Sequence, residues 1–463
     1  MRFLPVACAL ISLSACDESF APEDFEDATC EDKEPTAFVD WVAREWYLQP
    51  DQLPDLELRE GAAEAFLEEL IEAVDLDPES STVREDRFTY LTSVEAFEQA
   101  RDGDYVGVGT NHVIEGEEGA RFLRLVEVFG SGPLEPPTPA SEAGLRRGDR
   151  IFAVNGVDIA EQIARRGEGT SEAEVVASAF GEEGEGVAIG LVGERIDGTP
   201  FSVSPVRRPV TFREVPMAET VGTEEDRIGY MVFRSFATEG AEDELLDALT
   251  RFERQGVTRV IVDLRYNSGG WLNVAEAFAG QLLGKEHIFE TVIRLAYNPS
   301  KSDYDFRFKI LPRSCTESSC SRQYVPLSAL EEIVFIVSNA TGSASEALIN
   351  GLSPLIPVRL VGSQTRGKAV AGGVFRNDAC DQVFVPITSY MLNGLGEGKY
   401  FDGLTPDCLA ADDTSRQYGD PAEASFAAAL SLLQTDTCPA QKASPPATSS
   451  PRPRGFESLV VRH

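Results

Sequence analysis

The chain has 463 residues, which allows about two to four domains, and its 42% hydrophobic and 25% charged residues are typical of globular proteins. It carries 77 acidic against 41 basic residues, a formal net charge of −36. Because nucleic-acid binding needs a basic surface, this balance argues against a nucleic-acid partner, and we interpret the acidity as a source of solubility.

The first fifteen residues (1–15) are predicted to be a signal peptide. Arg2 precedes a short apolar run that ends in the letters LSAC. The run suits secretion but is too short to span a bilayer. Its ending resembles the lipobox of bacterial lipoproteins, which implies lipidation of Cys16 and an exported protein anchored in the cell envelope, at a periplasm-facing membrane or at the cell surface. The alternative is an ordinary signal peptide with an incidental cysteine.

The segments that follow the signal peptide differ in composition and in hydrophobic pattern. Residues 16–35 are acidic and without periodicity, which predicts an extended tether. From 36 to 101, apolar residues recur every three to four positions, which predicts a helical N-terminal domain. From 102 to 212, short β-like runs with glycine turns surround one amphipathic helix, which predicts a β domain.

Strands and helices alternate from 222 to 435. The strand-like runs IGYMVF, VTRVIVDLR, EIVFIVS and VRLVGS are separated by helical segments. This alternation predicts a layered α/β core, and the fold class is therefore α+β and multidomain. The tail (439–463) is rich in Pro, Ser and Ala and is predicted to be disordered.

Six cysteines remain outside the signal peptide and the lipobox, and export favours disulfides between them. A zinc site is the rival, but the chain lacks paired CxxC units. Position alone suggests the pairs Cys315–Cys320, Cys380–Cys408 and Cys30–Cys438.

Histidine is scarce, which limits the kinds of hydrolase that the chain can be. Its three histidines are His112, His287 and His463, and no GxSxG elbow surrounds any serine. We interpret each histidine as an ordinary polar residue, so the base of a nucleophilic serine would be a lysine.

The letters TGSASE follow a predicted buried strand (333–338). Ser343 and Glu346 have the spacing of a helix capping box, which explains them without any catalysis. The same turn would also suit a nucleophile, because free amides at a helix start, such as that of Ala344, stabilise an oxyanion.

Lys368 lies beside a glycine on a loop after another short strand. As a general base it must be neutral near pH 7, which requires its pKa to fall from about 10.4 to about 7–8 through burial. A surface lysine on a loop is the alternative reading.

A third predicted strand ends in Asp263-Leu264-Arg265 and is followed by the turn letters YNSGG, so that the motif reads DLRYNSGG. Gly269 and Gly270 leave the backbone open to a ligand, and their amides could complete an oxyanion hole. The alternative is a strand–helix turn that needs positive φ angles.

Together these three motifs resemble the carboxyl-terminal processing proteases, also called tail-specific proteases. That family carries DLRxNxGG, a TASASE-like turn and GxxTxGK, and this chain has DLRYNSGG, TGSASE and GSQTRGK with the family's spacing. The resemblance implies a protease core of crotonase- or ClpP-like ββα units that needs no cofactor. It also implies Ser343 as nucleophile, Lys368 as base and Glu346 as supporting group, with Ser345 only a neighbour. The amides of Gly269 or Gly270 and of Ala344 would form the oxyanion hole.

One position departs from the family pattern. The family usually has a Gln four residues after the lysine, where this chain has Gly372. Lys368 must then be oriented by another group, for which Glu346 is a candidate.

The β domain resembles a PDZ domain in the stretch TPASEAGLRRGDRIFAVNGVDI. PDZ domains bind a peptide C-terminus as an added strand and hold its carboxylate with loop amides. The resemblance makes Gly107, Val108 and Gly109 the candidate carboxylate loop, and a plain β-hairpin turn is the alternative.

The predicted function is a serine endopeptidase that recognises unstructured C-termini of exported proteins and cleaves them through an acyl-enzyme. Its partners would be protein or peptide substrates and, through Cys16, a membrane. A non-catalytic peptide- or ligand-binding protein on the same fold is one alternative, and a hydrolase of small esters is another. The sequence leaves the oligomeric state open.

Overall fold

The computed structural model describes residues 30, 34–61, 63–102, 105–167, 169–181, 184–211, 213–224, 226–238, 240–283, 287–310, 327 and 329–439. The predicted signal peptide, Cys16, almost all of the tether, Cys315, Cys320 and the tail after 439 lie outside the described residues. In the described part of the chain, no helix is long and apolar enough to cross a membrane.

The N-terminal segment begins with amphipathic helices. Its elements are α1 (Glu34–Trp46), a 3-10 turn (Pro50–Gln52), α2 (Ala63–Ile71), β1 (Tyr90–Thr92) and α3 (Val94–Asp102). The apolar positions of α1 and α2 share one face of each helix, and Phe38 and Phe66 on those faces are fully buried. The helical periodicity predicted here is confirmed for both helices.

A β-rich segment follows, in which the helices are short. Its strands are β2 (Tyr105–Gly107), β3 (Thr110–Glu115), β4 (Phe122–Val128), β5 (Arg150–Val154), β6 (Val157–Asp158), β7 (Leu191–Glu194), β8 (Pro200–Val203) and β9 (Arg208–Val210). Its helices are α4 (Pro139–Glu142), α5 (Ile159–Ala164) and α6 (Glu172–Phe180). An antiparallel sheet runs in the order β3-β4-β5-β7-β8 and packs its apolar face on α5 and α6, and β2 pairs with β9.

The C-terminal segment alternates strands and helices as the sequence predicted. Its strands are β10 (Met217–Gly222), β11 (Arg227–Val232), β12 (Arg259–Asp263), β13 (Thr291–Tyr297), β14 (Phe306–Lys309), β15 (Glu332–Val337), β16 (Val358–Gly362), β17 (Val370–Gly372), β18 (Phe375–Asn377), β19 (Gln382–Val385), β20 (Ile387–Leu392) and β21 (Cys408–Leu409). Its helices are α7 (Ala241–Arg254), α8 (Leu272–Leu283), α9 (Ala344–Leu352) and α10 (Ala424–Thr435), with 3-10 turns at Pro299–Tyr304 and Asp378–Cys380.

The main sheet of this segment runs in the order β10-β11-β12-β15-β16-β21, parallel except for β10. Helices α7, α8 and α9 cover one face of the sheet, and α10 covers the other. The strands β12, β15 and β16 therefore read as nearly continuous apolar runs, because both of their faces are buried. The carboxyl ends of these strands lead into the three motifs singled out in the sequence.

The N-terminal helices share a core with a distant part of the chain. Phe38 and Phe66 pack in one cluster with Ala369, Phe384 and Phe401. Strand β1 extends this contact, because it pairs with β19 in a small sheet that also contains β18. The sequence predicted a helical domain, whereas in the structure these helices bury their apolar faces against the C-terminal segment.

The disulfides differ from the predicted pairs. Cys30 is bonded to Cys380 with their Cα atoms 5.0 Å apart, and Cys408 to Cys438 with theirs 5.5 Å apart. The predicted pairs Cys380–Cys408 and Cys30–Cys438 are therefore wrong. The reason is that position along the chain does not reveal that β21 and the end of the chain after α10 lie together.

Candidate active site

The turn between β15 and α9 holds Ser343 in an unusual backbone conformation. Ser343 has φ +54° and ψ −120°, a region that costs a non-glycine residue about 1–3 kcal/mol. Two hydrogen bonds of the Thr341 hydroxyl stabilise the turn: it accepts from the Ser338 amide (2.9 Å) and donates to the Leu264 carbonyl (2.7 Å). Such strain persists only where the surroundings enforce it, and it concentrates at functional sites.

The two serines of this turn have different environments. The Ser345 hydroxyl is fully buried and donates to the Asn267 carbonyl at 3.0 Å, so it serves the packing of the turn. Ser343 is only half-buried. Of the two, Ser343 is the serine that a substrate could reach.

Glu346 connects the serine turn to the lysine loop. Its carboxylate is fully buried and accepts from the amides of Ser343 (3.0 Å), Lys368 (2.9 Å) and Gly367 (2.7 Å), and from the Thr365 hydroxyl. The amides of Ser343 and Lys368 share the oxygen Oε2. Burial raises the pKa of Glu346, and the four hydrogen bonds act against that rise. One carboxylate thus fixes the relative position of the two chain segments.

The Lys368 ammonium has an aromatic ring near it. Within the described part of the chain, its Nζ makes no hydrogen bond or ion pair, and it lies 5.7 Å from the centre of the Phe88 ring. The side chain is half-buried, and its burial lowers the pKa of the ammonium to about 8; Arg366 acts in the same direction, and Asp86 and Glu346 oppose it. The sequence made Glu346 a candidate for orienting the Lys368 side chain. In the described residues, Glu346 accepts from the backbone amide of Lys368, and no hydrogen bond joins it to Nζ.

The glycine turn packs against the serine. Gly269 and Gly270 have φ +113° and +138°. A Cβ on Gly269 would lie 2.6 Å from Ser343 Cβ and 2.9 Å from the Ala344 nitrogen, so only glycine fits there. The Gly269 amide donates to Asn267 Oδ1 at 3.0 Å and is therefore occupied. Of the predicted oxyanion donors, this leaves the amide of Gly270 and the amide of Ala344, which begins helix α9, as candidates.

Asn267 is a site residue that the sequence reasoning missed. It is fully buried, its Nδ2 donates to the Phe233 carbonyl at 3.0 Å, and its own carbonyl accepts from Ser345 and from the Gly342 amide. It thereby joins the glycine turn to the serine turn. An Asn two residues before a Gly-Gly pair is typical of a side chain that caps its own turn, and this signal could have identified it.

Asp263 and Arg265 of the DLR motif lie in an ion network. Arg265 binds Asp263 (2.8 Å), Glu423 (2.9 Å) and Asp412 (3.0 Å). Arg147 from the β-rich segment also binds Asp412. The motif therefore anchors the start of the glycine turn to helix α10 and to the β-rich segment.

A family model described as peptidase family S41 matches residues 227–410, a stretch that contains the glycine turn, Ser343 and Lys368. The chain is also 26% identical over 411 residues to a carboxyl-terminal-processing protease of Picosynechococcus sp., covering 87% of this chain and 85% of that protein. The family match assigns residues 227–410 of the chain to peptidase family S41.

Other relatives of this S41 peptidase agree. The carboxy-terminal processing protease CtpA of Bacillus subtilis is 24% identical over 326 residues, which cover 70% of this chain and 60% of that protein. A crystal structure assigned as an S41 protease of Bacteroides fragilis has the same fold, with a TM-score of 0.65 at 22% identity over 86% of this chain and 97% of that chain. The chain is accordingly a serine-type peptidase.

The candidate peptide-binding residues of this S41 peptidase lie in the β-rich segment, between β2 and β3. The Val108 carbonyl accepts from the Ala140 amide at 2.8 Å, and the Gly109 carbonyl accepts from the Phe129 amide at 2.9 Å. Gly107 is paired with Arg208 of β9. These contacts fix the loop, and its role in holding a carboxylate stays a prediction.

Proposed function

We propose that this S41 peptidase is a serine endopeptidase in which Ser343 attacks the substrate and Lys368 is the general base. The observation that carries the proposal is the shared Glu346 carboxylate, which holds the strained serine turn and the lysine loop together. A lysine with a pKa of about 8 is partly neutral near pH 7, as a base must be.

The mechanism follows from these positions. Neutral Lys368 accepts the hydroxyl proton as Ser343 Oγ bonds to the scissile carbonyl carbon. The carbonyl oxygen becomes an oxyanion, and the amides of Gly270 and Ala344 are the proposed donors to it. The tetrahedral intermediate then expels the amine, which takes the proton from Lys368. Water, deprotonated by Lys368, attacks the acyl-enzyme and releases the new C-terminus.

We further propose that the β-rich segment is a PDZ-like module that captures unstructured C-termini. Strand β3 is at one end of the described sheet order, so a peptide strand could add to it, with Gly107, Val108 and Gly109 close to the carboxylate. Lipidation at Cys16 would place the enzyme on a membrane facing exported proteins. The relative from Picosynechococcus sp. is named a carboxyl-terminal-processing protease, which agrees with this substrate class.

The experiment is cleavage of an unstructured protein, together with labelling by a fluorophosphonate probe, on the purified chain from residue 17 onward. We expect turnover and labelling in the wild type, and neither in the variants Ser343→Ala and Lys368→Met. Ser345→Ala is the matched control, since its hydroxyl only bonds the Asn267 carbonyl, and it should keep most activity. Undiminished turnover in Ser343→Ala would refute the proposal.

A non-catalytic binding protein is the second candidate. It is favoured by the lysine ammonium, which has no polar partner in the described residues, and by Gly372, which has no side chain to supply one. In that case the probe would not label the wild type, although a peptide with a free C-terminus would still bind. Labelling of Ser343 in the wild type excludes this candidate.

A further inference from the structure

The base of the proposed mechanism needs a group that holds its side chain, and the strand after it supplies none. Gly372 in β17 carries no side chain, and a Cβ there would lie 2.8 Å from Val385 Cγ1 and 3.2 Å from the Pro386 carbonyl oxygen. The space beside Gly372 is therefore taken by β19 and the residue after it. The groups that face Lys368 come from elsewhere in the chain.

One of these groups is the aromatic ring of Phe88, which precedes β1. The Lys368 Nζ lies 5.7 Å from the centre of this ring, within the range of a cation–π contact. Phe88 is itself half-buried against the core that α1 and α2 share with residues 369–401. The ring thus packs on this shared core, and the guanidinium of the neighbouring Arg87 also lies 5.2 Å from its centre.

The neighbours of Phe88 fix the ring in place. Asp86 is 1% exposed, and its Oδ1 accepts from the amides of Phe88 (2.8 Å) and Thr89 (3.0 Å), while its Oδ2 accepts from the Tyr47 hydroxyl (2.5 Å). Arg87 Nη2 donates to the Arg366 carbonyl at 3.2 Å, so the segment is tied to the lysine loop as well.

We propose that Phe88 is the positioning residue for Lys368: its ring face receives the ammonium that forms when Lys368 takes the proton of Ser343. This inference rests on the proposed function and names the structural support of its base. The N-terminal segment would then be a part of the active site, although it is more than 250 residues away from Ser343 in sequence.

The charges around Lys368 define what the proposal predicts. Burial and Arg366 favour its neutral form, while Asp86 and Glu346 favour its charged form. A ring face also favours the charged form. Loss of the ring should therefore lower the pKa of Lys368, which moves the midpoint of the pH profile to lower pH. It should also leave the side chain without a fixed orientation, which reduces the plateau rate above that midpoint.

The test is the rate of Ser343 labelling by a fluorophosphonate probe between pH 6 and 10, on the purified chain from residue 17 onward. Phe88→Leu keeps the apolar volume but removes the ring. We expect its plateau rate to fall about 3- to 30-fold and its midpoint to move to lower pH. Phe88→Tyr and Phe88→Trp should restore both quantities, because they restore a ring face.

Two further variants separate this role from a structural one. Asp86→Asn keeps the acceptor for the amides of Phe88 and Thr89, and it should lower the midpoint because a negative charge is lost. Phe122→Leu is the matched control, since Phe122 is also a half-buried ring beneath a cation, Arg124 at 5.1 Å, but in the β-rich segment. It should change neither plateau nor midpoint.

The outcomes are distinct. A wild type that is not labelled at all would refute the proposed function, and with it this inference. A labelled wild type whose pH profile is reproduced by Phe88→Leu would overturn the inference alone. The inference would also be overturned if Phe88→Leu and Phe88→Tyr both lowered the plateau rate and left the midpoint unchanged. That pattern would mean that the ring acts only through packing. Thermal unfolding of each variant shows whether the fold is intact.

Discussion

Two carboxylates that join separate parts of this molecule have opposite kinds of hydrogen-bond partner. Glu346, between the serine turn and the lysine loop, accepts hydrogen bonds from three amides and one hydroxyl, and none of these donors is charged. Asp412, between the β-rich segment and the core, accepts from the guanidinium groups of Arg147 and Arg265. One carboxylate organises the backbone, and the other neutralises cations.

The difference shows how the site can lower the pKa of a lysine. Burial raises the pKa of Asp412, but Arg147 and Arg265 outweigh it and lower that pKa to about 2. If Glu346 formed an ion pair with Lys368 in the same way, the ammonium would be stabilised and could not act as a base. Because amides satisfy Glu346 instead, burial of Lys368 prevails and its pKa falls to about 8.

The largest expected effect comes from breaking the ion network. Arg265→Met would leave Asp263 and Glu423 buried without their cation, so we expect a loss of about 3–5 kcal/mol in the free energy of unfolding. Denaturant unfolding measures it. Arg208→Ala, which breaks the exposed pair with Glu142, is the control and should leave the free energy of unfolding nearly unchanged. Equal losses in both variants would contradict the network's role.

The second prediction concerns Glu346, the carboxylate between the serine turn and the lysine loop. Glu346→Gln keeps the shape, but its NH₂ group would face amide donors, so a buried donor loses its acceptor at a cost of about 1–3 kcal/mol. Because those donors position Ser343 and Lys368, probe labelling should slow by at least about tenfold. A variant with wild-type labelling would show that the shared carboxylate does not position the two residues.

The third prediction concerns the pH dependence of the rate of probe labelling. The pKa of Lys368 is lowered to about 8, and only its neutral form accepts a proton. Probe labelling should therefore rise with pH, by about tenfold per unit well below pH 8, and level off above it. A rate that falls as pH rises from 7 to 9 would exclude Lys368 as the base.

The smallest effect is expected at Asp412. Its pKa in the folded state lies below the usual value for Asp, so its contribution to stability is present above about pH 4 and is lost as the pH falls towards 2. Asp412→Asn should lower the free energy of unfolding by about 1 kcal/mol at pH 7, since Asp412 is partly exposed. The difference from wild type should shrink as the pH falls towards 2, and a difference that stays constant between pH 7 and 2 would contradict this role.

Much of the layered core was predictable because its signals are local. Apolar runs indicated β12, β15 and β16, and helical spacing indicated α1 and α2. The three motifs each consist of a strand end, a turn and a following segment, so their residues could be singled out without knowing the packing. Asn267 was missed although its spacing before the glycine pair is informative.

The remaining features depend on contacts between distant parts of the chain. Cys30 is bonded to Cys380, and Lys368 lies beside the ring of Phe88, 280 positions earlier. No local pattern indicates either contact. A motif comparison shows only that a side chain is missing at Gly372. In the structure, Val385 occupies the space beside this glycine.

The sequence by itself determined which faces of the helices and strands are apolar, where the turns lie, and which serine, lysine and glutamate belong to one family pattern. Only the tertiary structure decided what those faces pack against and which polar groups share a carboxylate. The physical reason is that periodicity along a chain encodes the burial of a face but not its partner. A lysine pKa, in turn, depends on every charge and ring that folding brings around it.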